Sequence, residues 1–438
     1  MADALESDIR SGRMRPGTRL APQREFARTR GIASSTAARV YQELERRGLV
    51  TGEIGRGTFV RGAPRPEATT AASGPSALID LEANFPVLPE QPAMLAAALA
   101  GLLESPRLAA ALLTVGVAAT RADRQTLATF LARGDWTPDP AGLLFTGSGR
   151  QSIAAAISGL VPRGGNLGVE ELTYPVVKAI AANLDVRLVP VPMDGGGLDP
   201  TALSAVHAAT PLHAVYLQPA LHNPLGMTMT AARRVELAAV LRALDLSAIE
   251  DGVNCFLRDD APLAAVAAEQ TVYVDSFSKR IAAGLNLGIV VAPRRLRDRL
   301  AAVMRSATWT APGFAIAATT TLIADGTVAR IVALKRADAA ARQAVVLERL
   351  DGFAITADPA AYHSWWELPD QWQAETFVSA AARHGIVINP AAAFAVGPAP
   401  ARAVRISNST PDLPTLVDAL DTLAGLARRT PEDAGLEY

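Results

Sequence analysis

The stretch TVYVDSFSKRIAAGLNLGIVVAP, residues 271–293, indicates how the main body of the chain folds. Two runs rich in β-branched residues, 271–274 and 288–291, flank a polar turn that carries Ser276, Ser278 and Lys279. Short apolar runs of this composition, bounded by small and polar residues, are typical of buried strands. The pattern therefore predicts a lysine held in a turn between two buried strands.

Lys279 stands out because lysine is rare in this chain. Of the 42 basic residues only three are lysines, namely Lys178, Lys279 and Lys335. A partly buried lysine, unlike an arginine, loses its proton readily, so its amine can act as a nucleophile and form a Schiff base. An ordinary surface lysine in a turn is the alternative interpretation, and this stretch alone does not decide between the two.

The composition predicts a globular protein with more than one domain. A length of 438 residues favours two or three domains, and a net charge of −1 argues against a chain that is basic throughout. The single cysteine, Cys255, excludes an internal disulfide and fits a reducing compartment. The sequence offers neither a signal-peptide core nor a run of about 18 apolar residues, so we expect a cytoplasmic protein without a membrane span.

Residues 1–62 differ from the rest of the chain in charge and in pattern. They contain twelve arginines and seven acidic residues, and the resulting positive field suits a polyanion such as DNA. Glycine, proline and serine divide this segment into short helices followed by a hairpin. The predicted elements are helices over 2–11, over 22–30 and from 34 or 35 to about 47, and a two-stranded wing over 49–60. This is the order of a winged helix-turn-helix domain, whose third helix enters the major groove of DNA.

The sequence of residues 10–60, RSGRMRPGTRLAPQREFARTRGIASSTAARVYQELERRGLVTGEIGRGTFV, resembles the DNA-binding domain of the GntR family over nearly its whole length. The resemblance implies that Arg24 contacts phosphate or base from the second helix. The other implied DNA contacts are Ser34, Ser35, Thr36 and Arg39 facing the groove, and Gly55, Arg56 and Gly57 in the wing. Many relatives have an arginine where Ser34 stands, so the resemblance does not give the base preference.

The rest of the chain is divided into a linker, a large body and a short tail. Residues 63–77 are rich in Pro, Ala, Ser and Thr without periodicity, which predicts a flexible tether. Residues 78–427 alternate helical and strand-like stretches, a pattern typical of an α/β domain with a mostly parallel sheet. Residues 428–438 form the tail.

Polar or aromatic residues follow predicted strands at several places in the body. The Gly/Ser loop in LLFTGSG, residues 143–149, opens a helix and suits phosphate. A carboxylate at the end of a strand can pair with a protonated ring nitrogen, and an arginine fork suits a carboxylate. In chain order, these positions are the loop at 147–149, Tyr174-Pro175, Asn223-Pro224, Asp251, and Arg405 with Arg402 nearby. Taken singly, each of these residues could equally be an ordinary turn or core residue.

Together with Ser-x-Ser-Lys at 276–279, these positions follow the order found in fold-type I aminotransferases that use pyridoxal 5′-phosphate (PLP), and the body resembles that fold throughout. Joined to the GntR-like head, the chain resembles a MocR-type transcription regulator. The resemblance implies a winged helix-turn-helix domain followed by an α/β fold-type I transferase-like domain with a mostly parallel central sheet. It also implies PLP as cofactor, and DNA, a small amino-acid-like effector and a second copy of the chain as partners.

The resemblance further implies a role for each site residue. Lys279 would be the Schiff-base lysine, and Asp251 would pair with the pyridine nitrogen. The remaining roles are Asn223 bonding the phenolic oxygen of the ring, Tyr174 stacking on the ring, Ser148, Gly149, Arg150, Ser276 and Ser278 surrounding the phosphate, and Arg405 holding the effector carboxylate. No metal site is predicted.

Two positions depart from the family pattern. The tyrosine expected two or three residues after the aspartate is replaced by Val253 and Asn254, so Asn254 is the available substitute. The arginine expected after the lysine is replaced by Asn286, and Arg150 or Arg280 could supply the missing charge. Two alternatives therefore stay open: a working aminotransferase with a DNA-binding head, and a regulator whose body has lost PLP.

Overall fold

The computed structural model describes the chain except residues 3–4, 7, 9–13, 15–17, 48, 54–56, 61–77, 105 and 434–438. The predicted linker, 63–77, therefore lies outside the described residues. The same is true of most of the predicted first helix, 2–11, and of the end of the tail.

The head contains two helices and a hairpin. Helix α1 (Gln23–Arg30) begins after Pro22 and ends at Gly31, whose φ of 62° is a left-handed conformation that glycine adopts without strain. Helix α2 is Ser34–Arg46. Strands β1 (Val50–Glu53) and β2 (Gly57–Val60) pair antiparallel. The predicted second helix, third helix and wing are thus confirmed.

The small core of the head is formed where these elements meet. The rings of Phe26 and Tyr41 are in edge contact, with centroids 5.4 Å apart. Ala37 and Leu44 are fully buried, and Tyr41 donates a hydrogen bond to the carbonyl of Ala21. Residues spaced three and four apart lie on one face of a helix, so α2 packs with the inner face that its sequence predicts.

The described residues of the body form a large central sheet and three smaller sheets. In chain order the strands are β3 (Ile79–Asp80), β4 (Leu143–Thr146), β5 (Asn166–Glu170), β6 (Arg187–Val191), β7 (Met193–Asp194), β8 (Gly197–Leu198), β9 (Ala214–Leu217), β10 (Ser247–Asp251), β11 (Thr271–Ser276), β12 (Gly288–Val291), β13 (Ala354–Thr356), β14 (His363–Glu367), β15 (Ile386–Val387), β16 (Asn389–Pro390) and β17 (Ala403–Ser407). Within the described residues, the central sheet has seven strands in the order β4-β12-β11-β10-β9-β5-β6. Strand β12 pairs antiparallel with both of its neighbours, whereas β11, β10, β9, β5 and β6 pair in parallel. The predicted mostly parallel sheet is confirmed.

Helices cover the sheets of the body, and a sheet that is buried on both faces requires such cover. They are α3 (Gln91–Leu103), α4 (Arg107–Ala111), α5 (Arg121–Leu131), α6 (Gly149–Leu160), α7 (Pro175–Asn183), α8 (Pro200–Ala209), α9 (Ala231–Ala243), α10 (Arg294–Ser306), α11 (Gly313–Ala324), α12 (Thr327–Arg349), α13 (Ala374–Arg383) and α14 (Leu413–Ala427). The apolar face of α6, with Ile153, Ala156 and Ile157, packs on β11 and β12. Among the described residues, no helix is by itself long and apolar enough to cross a membrane, although α11 and α12, bent by 76°, pass that test as a pair.

A second, smaller sheet lies towards the C-terminal end of the chain. Its order is β13-β14-β17-β16, and all of its described pairings are antiparallel. Helices α13 and α14 cover it with a core that includes Trp366, Trp372 and Phe377. Strand β3, at the start of the body, pairs in parallel with β15 of this part. The long helix α12 also packs here, against α14.

The register of the central sheet brings together the polar residues at the ends of its strands. Strands β10 and β11 are parallel neighbours with Asp251 opposite Val274, so Asp251 and the turn after β11 meet at the same edge of the sheet. Strand β12 returns antiparallel with Gly288 opposite Ser276. The polar residues that follow these strands therefore share one edge of the central sheet. Strand β11 runs on to Ser276, so this serine ends a strand and does not lie in the turn that the sequence predicts.

Candidate functional site

A cavity of about 350 Å³ opens at this edge of the central sheet. Most of the predicted cofactor-binding residues line it: Ser148, Gly149, Arg150, Tyr174, Asn223, Asp251, Ser276, Ser278 and Lys279. Asn254 and Arg405 are not among the lining residues, but they bond to two that are, Lys279 and Asn223 respectively. Residues that lie far apart in the sequence, from Ser148 to Lys279, thus converge on one cavity.

Lys279 is buried at the cavity, and its Nζ donates a hydrogen bond to Oδ1 of Asn254 at 3.0 Å. Burial lowers the pKa of Lys279 to about 8, with the negative charge of Asp251 opposing that effect and Arg405 adding to it. Desolvation disfavours the ammonium form, so an appreciable fraction of the amine is neutral near neutral pH. A neutral amine is the form that attacks a carbonyl carbon.

Asp251 ends β10 as a buried carboxylate held by three donors. It accepts from the Tyr216 hydroxyl at 2.6 Å, from Nε2 of Gln218 at 3.0 Å and from the backbone N–H of Val253 at 3.0 Å. Burial raises the pKa of Asp251, and the hydrogen bond from Tyr216 is the first of several contacts that oppose this rise. The result is a fixed acceptor facing the cavity, suited to a protonated ring nitrogen.

Tyr216 and Gln218 are site residues that the sequence reasoning missed. Gln218 directly follows β9 at the edge where Asp251 also lies, so a polar residue after a buried strand was an available signal. Tyr216 offered no such signal. It is fully buried within the apolar strand β9, where an aromatic residue is expected to be part of the core.

The start of α6 forms a small polar cradle with the end of β11. The Ser148 hydroxyl accepts from the backbone N–H of Gln151 and caps the helix, and the hydroxyls of Ser276 and Ser278 are 2.7 Å apart. A Cβ at Gly149 would lie only 3.0 Å from both Cβ and Oγ of Ser276, so glycine keeps this cradle open. A helix N-terminus with hydroxyls around it binds a phosphate dianion well.

Arg150 adds a positive charge to this cradle and hydrogen-bonds to Tyr174. The predicted alternative, Arg280, points elsewhere. Its buried guanidinium pairs with Asp275 and lies over the rings of Phe256 and Phe277, and Arg280 is not among the residues that line the cavity. The expectation that Arg280 could supply the missing phosphate contact is therefore wrong, because its charge is already paired in the core.

Asn286 lines the cavity, and its buried Oδ1 has no hydrogen-bond partner among the described residues. A buried carbonyl oxygen without a partner is unfavourable, so its presence at a cavity wall fits a ligand that brings a hydrogen-bond donor. One N–H of the Asn254 Nδ2 donates to the carbonyl of Leu221 at 3.1 Å, and its Oδ1 accepts from Lys279. The amide is thus held beside the Lys279 amine, and its role as a substitute for the missing tyrosine stays a prediction.

Arg405 lies on β17 of the second sheet and is buried. Its Nη1 donates to Oδ1 of Asn223 at 3.0 Å, its Nη2 donates to the carbonyl of Glu82, and its guanidinium lies over the Phe394 ring. Its Nε has no partner among the described residues. Arg402, which lies nearby in the sequence and could have shared this role, pairs with Asp370 and is half exposed, so it does not join Arg405 at this site.

Six of the eight predicted DNA-contacting residues are described, and all six lie on the helices and wing of the head. Arg24 is exposed on α1, and four more are exposed on the first turns of α2, namely Ser34, Ser35, Thr36 and Arg39. Gly57 begins β2. Gly55 and Arg56 fall outside the described residues. Exposed basic and hydroxyl side chains at the start of a recognition helix are suited to phosphates and base edges in the major groove.

Comparison with known sequences finds two families in this chain. The family of bacterial regulatory proteins, gntR family, matches residues 1–60. The family of aminotransferases of class I and II matches residues 77–422. The two matches follow one another along the chain with the unmatched residues 61–76 between them.

Curated relatives share both parts of the chain. The uncharacterized HTH-type transcriptional regulator YdeF from Bacillus subtilis (strain 168) is 27% identical over 417 residues, covering 94% of this chain and 90% of YdeF. The vitamin B6 salvage pathway transcriptional repressor PtsJ from Salmonella typhimurium (strain LT2) is 25% identical over 417 residues, covering 93% of each protein. The chain is thus similar to transcription regulators over nearly its full length.

Solved structures resemble the body. An archaeal alanine:glyoxylate aminotransferase superimposes with a TM-score of 0.73 at 20% identity, covering 80% of this chain and 91% of that one. The α-aminoadipate aminotransferase LysN from Thermus thermophilus gives a TM-score of 0.71 at 20% identity, covering 80% and 92%. These likenesses establish that the body has the fold of fold-type I aminotransferases. The chain belongs to the class I and II aminotransferase family and carries a gntR-family regulatory domain in front of its aminotransferase domain.

Proposed function

We propose that this protein is a PLP-dependent, DNA-binding transcription regulator whose aminotransferase-like body senses an amino-acid-like effector. One observation carries the proposal. A buried amine at Lys279, a buried carboxylate at Asp251 and a polar cradle at the start of α6 face one cavity, in a chain that begins with a winged helix-turn-helix head. A reactive-amine site and a DNA-binding head in one chain suit a sensor of small metabolites.

The donors and acceptors of the cavity fit PLP. The phosphate would lie among the hydroxyls of Ser148, Ser276 and Ser278, beside Arg150, and the pyridine nitrogen would face Asp251. The open face at Gly149 leaves room for the phosphate there. When bound, PLP supplies an aldehyde and an electron-withdrawing ring. Lys279 supplies the amine that holds it, and burial keeps that amine partly neutral.

The effector would bind beside the cofactor through its carboxylate. Arg405 is buried, and its Nε–H has no acceptor among the described residues, so the guanidinium retains a donor for an anionic ligand. Arginine binds carboxylates in a planar two-point geometry that lysine cannot reproduce. Asn223, already bonded to Arg405, would connect the effector site with the cofactor site.

Binding at this site would alter DNA binding by the head. Fold-type I bodies are normally dimers, so we propose a homodimer that presents two heads to paired DNA half-sites. The names of two relatives support a regulatory role linked to vitamin B6: the repressor PtsJ, and the pyridoxine biosynthesis transcriptional regulator PdxR from Corynebacterium glutamicum, 29% identical over 159 residues. Since DNA is the proposed partner, the proposed location is the cytoplasm.

DNA affinity in the presence and absence of ligand tests this function directly. A DNA fragment is first selected from a random pool with the full-length protein, and its affinity is then measured without PLP, with PLP, and with PLP plus each of a panel of amino acids. We expect PLP or one of the amino acids to change the affinity, and Lys279→Ala to abolish that change. Identical affinities in all conditions would contradict sensing.

Catalytic turnover is the second candidate, favoured by the lowered pKa of Lys279, which suits a group that accepts and returns a proton. The aspartate site argues against fast turnover, since Val253 and Asn254 stand where the family has its tyrosine and Asn254 is bonded to Leu221. Keto-acid formation from a panel of amino acids with 2-oxoglutarate separates the candidates. Sustained product formation beyond one equivalent per subunit would establish an aminotransferase.

A further inference from the structure

Lys335 is bonded to the backbone of the very turn that carries Lys279. It lies on α12, with no exposed surface, and its Nζ donates to the carbonyl oxygen of Lys279 at 2.7 Å and to that of Ile281 at 2.9 Å. Two of the three lysines in the chain thus meet at one turn. Among the described hydrogen bonds, the carbonyl oxygen of Lys279 accepts only from Lys335.

Neighbouring contacts hold both the turn and Lys335 in place. Nε2 of Gln91 donates to the same carbonyl of Ile281 at 2.5 Å. On the other side, the Tyr362 hydroxyl donates to the backbone carbonyl of Lys335 at 2.8 Å and contacts Asp338 at 2.9 Å. Tyr362 immediately precedes β14, so the contacts run from the second sheet through α12 to the turn of Lys279.

Burying a lysine at this position is energetically unfavourable, because its charged form loses contact with water. Burial lowers the pKa of Lys335 to about 7, opposed by the charge of Asp338. An apolar side chain of similar length would avoid this desolvation, so packing alone does not account for a lysine here. Both the ammonium and the neutral amine have at least two N–H donors, and the two carbonyls accept two. The bonds to the turn therefore survive in either protonation state.

We propose that Lys335 is a positioning residue for Lys279, holding the backbone of residues 279–281 so that the Lys279 amine is presented to the cavity. The inference rests on the proposed function, because it assigns Lys335 a task only if Lys279 is the cofactor lysine. Lys335 does not touch the cavity itself. Its effect on PLP is therefore exerted through the backbone of the turn.

Hydrogen exchange in the full-length protein without PLP tests the positioning itself. Lys335→Met removes both donors while keeping an apolar side chain of similar length. We expect amide exchange of residues 277–287 to accelerate about tenfold or more, the effect of losing two hydrogen bonds to backbone carbonyls. Lys178→Met is the matched control, because Lys178 also donates to backbone carbonyls, those of Ala393 and Ala395, but away from this turn. It should leave exchange of residues 277–287 unchanged.

PLP binding, followed by absorption, is the second readout. We expect Lys335→Met to weaken PLP binding about tenfold and to change the absorption of the bound cofactor. If Lys335→Met does not fold, Lys335→Gln takes its place. This variant keeps N–H donors on a shorter side chain, and its amide exchange at residues 277–287 is compared with wild type in the same way. Exchange of residues 277–287 within twofold of wild type, or equal acceleration in Lys178→Met, would overturn the inference.

The two readouts separate failure of the inference from failure of the proposed function. If wild type gives no PLP spectrum that Lys279→Ala abolishes, the proposed function fails and the cofactor role of Lys335 is overturned with it. If wild type binds PLP and Lys335→Met binds it equally well, only the inference is overturned. Accelerated exchange together with weakened PLP binding supports both.

Discussion

Arg405 and Asn223 form a hydrogen bond between the two sheets of the body, Nη1 to Oδ1, at 3.0 Å. Arg405 lies on β17 of the second sheet, and Asn223 follows β9 of the central sheet at the wall of the cavity. A ligand that competes for Arg405 would therefore act on a contact that joins the two parts. This relationship gives the proposed effector a structural route to the rest of the body.

Replacing Arg405 should separate effector binding from PLP binding. Arg405→Met removes the donor for a carboxylate, while Lys279, Asp251 and the phosphate cradle remain. We expect amino-acid binding, measured by absorption changes of the PLP-loaded protein, to weaken about tenfold or more, as loss of a charge-assisted contact predicts. Arg402→Met, at the surface pair with Asp370, is the control. Equal binding by the Arg405 variant would mean that effectors are recognised elsewhere.

Arg150 should supply the phosphate charge that Asn286 lacks. Arg150 and Asn286 line the cavity, whereas the charge of Arg280 is paired with Asp275. We expect Arg150→Gln to weaken PLP binding about tenfold, because one charge-assisted contact is lost. Adding Asn286→Arg to that variant should recover most of the affinity. Isothermal titration of PLP into the variants measures both steps, and failure of the single change to weaken binding would remove Arg150 from the phosphate site.

Capture of PLP should depend on pH through the amine of Lys279. Burial lowers its pKa to about 8, and the neutral form, which attacks the aldehyde, becomes more abundant as pH rises. The initial rate of PLP binding should therefore rise about tenfold per pH unit well below a pH of about 8 and level off above it. Stopped-flow absorption measures this profile. A rate that still rises steeply above about pH 9.5, as an ordinary lysine amine would give, would contradict the lowered pKa.

DNA binding should depend on the exposed start of α2. Arg39 is exposed there, and its replacement by alanine should weaken binding to a selected site by about 1–3 kcal/mol if it contacts a base. Fluorescence anisotropy with labelled DNA gives the affinity. If the contact is to phosphate, the loss is uniform across sequences and the salt dependence falls by about one counterion. Unchanged affinity and salt dependence would show that α2 does not enter the groove through Arg39.

Much of the fold was predictable because local patterns agreed with long-range packing. The second and third helices of the head follow from Pro22, Gly31 and the apolar spacing of α2. The strands at Lys279 follow from β-branched runs bounded by small residues. In these stretches each local preference points to the same structure, which is what makes a pattern readable.

The remaining features depend on contacts that no local pattern encodes. Arg280 follows Lys279 directly, yet it turns into the core because Asp275 and aromatic rings receive it there. Asn254 bonds to Leu221, and Lys335 bonds to the Lys279 carbonyl across 56 positions of sequence. Sequence order identified the residues around the cavity, but direction and pairing of side chains were set by neighbours distant in the chain.

The most direct test of the account is the absorption spectrum of the full-length protein titrated with PLP, before and after borohydride reduction. We predict a Schiff-base band in the wild type, its conversion by borohydride into a permanent adduct that peptide mapping finds on Lys279, and no such band in Lys279→Ala. The buried, partly neutral amine facing Asp251 is the reason for this expectation. A spectrum that is the same in wild type and Lys279→Ala, or an adduct on another lysine, would contradict it.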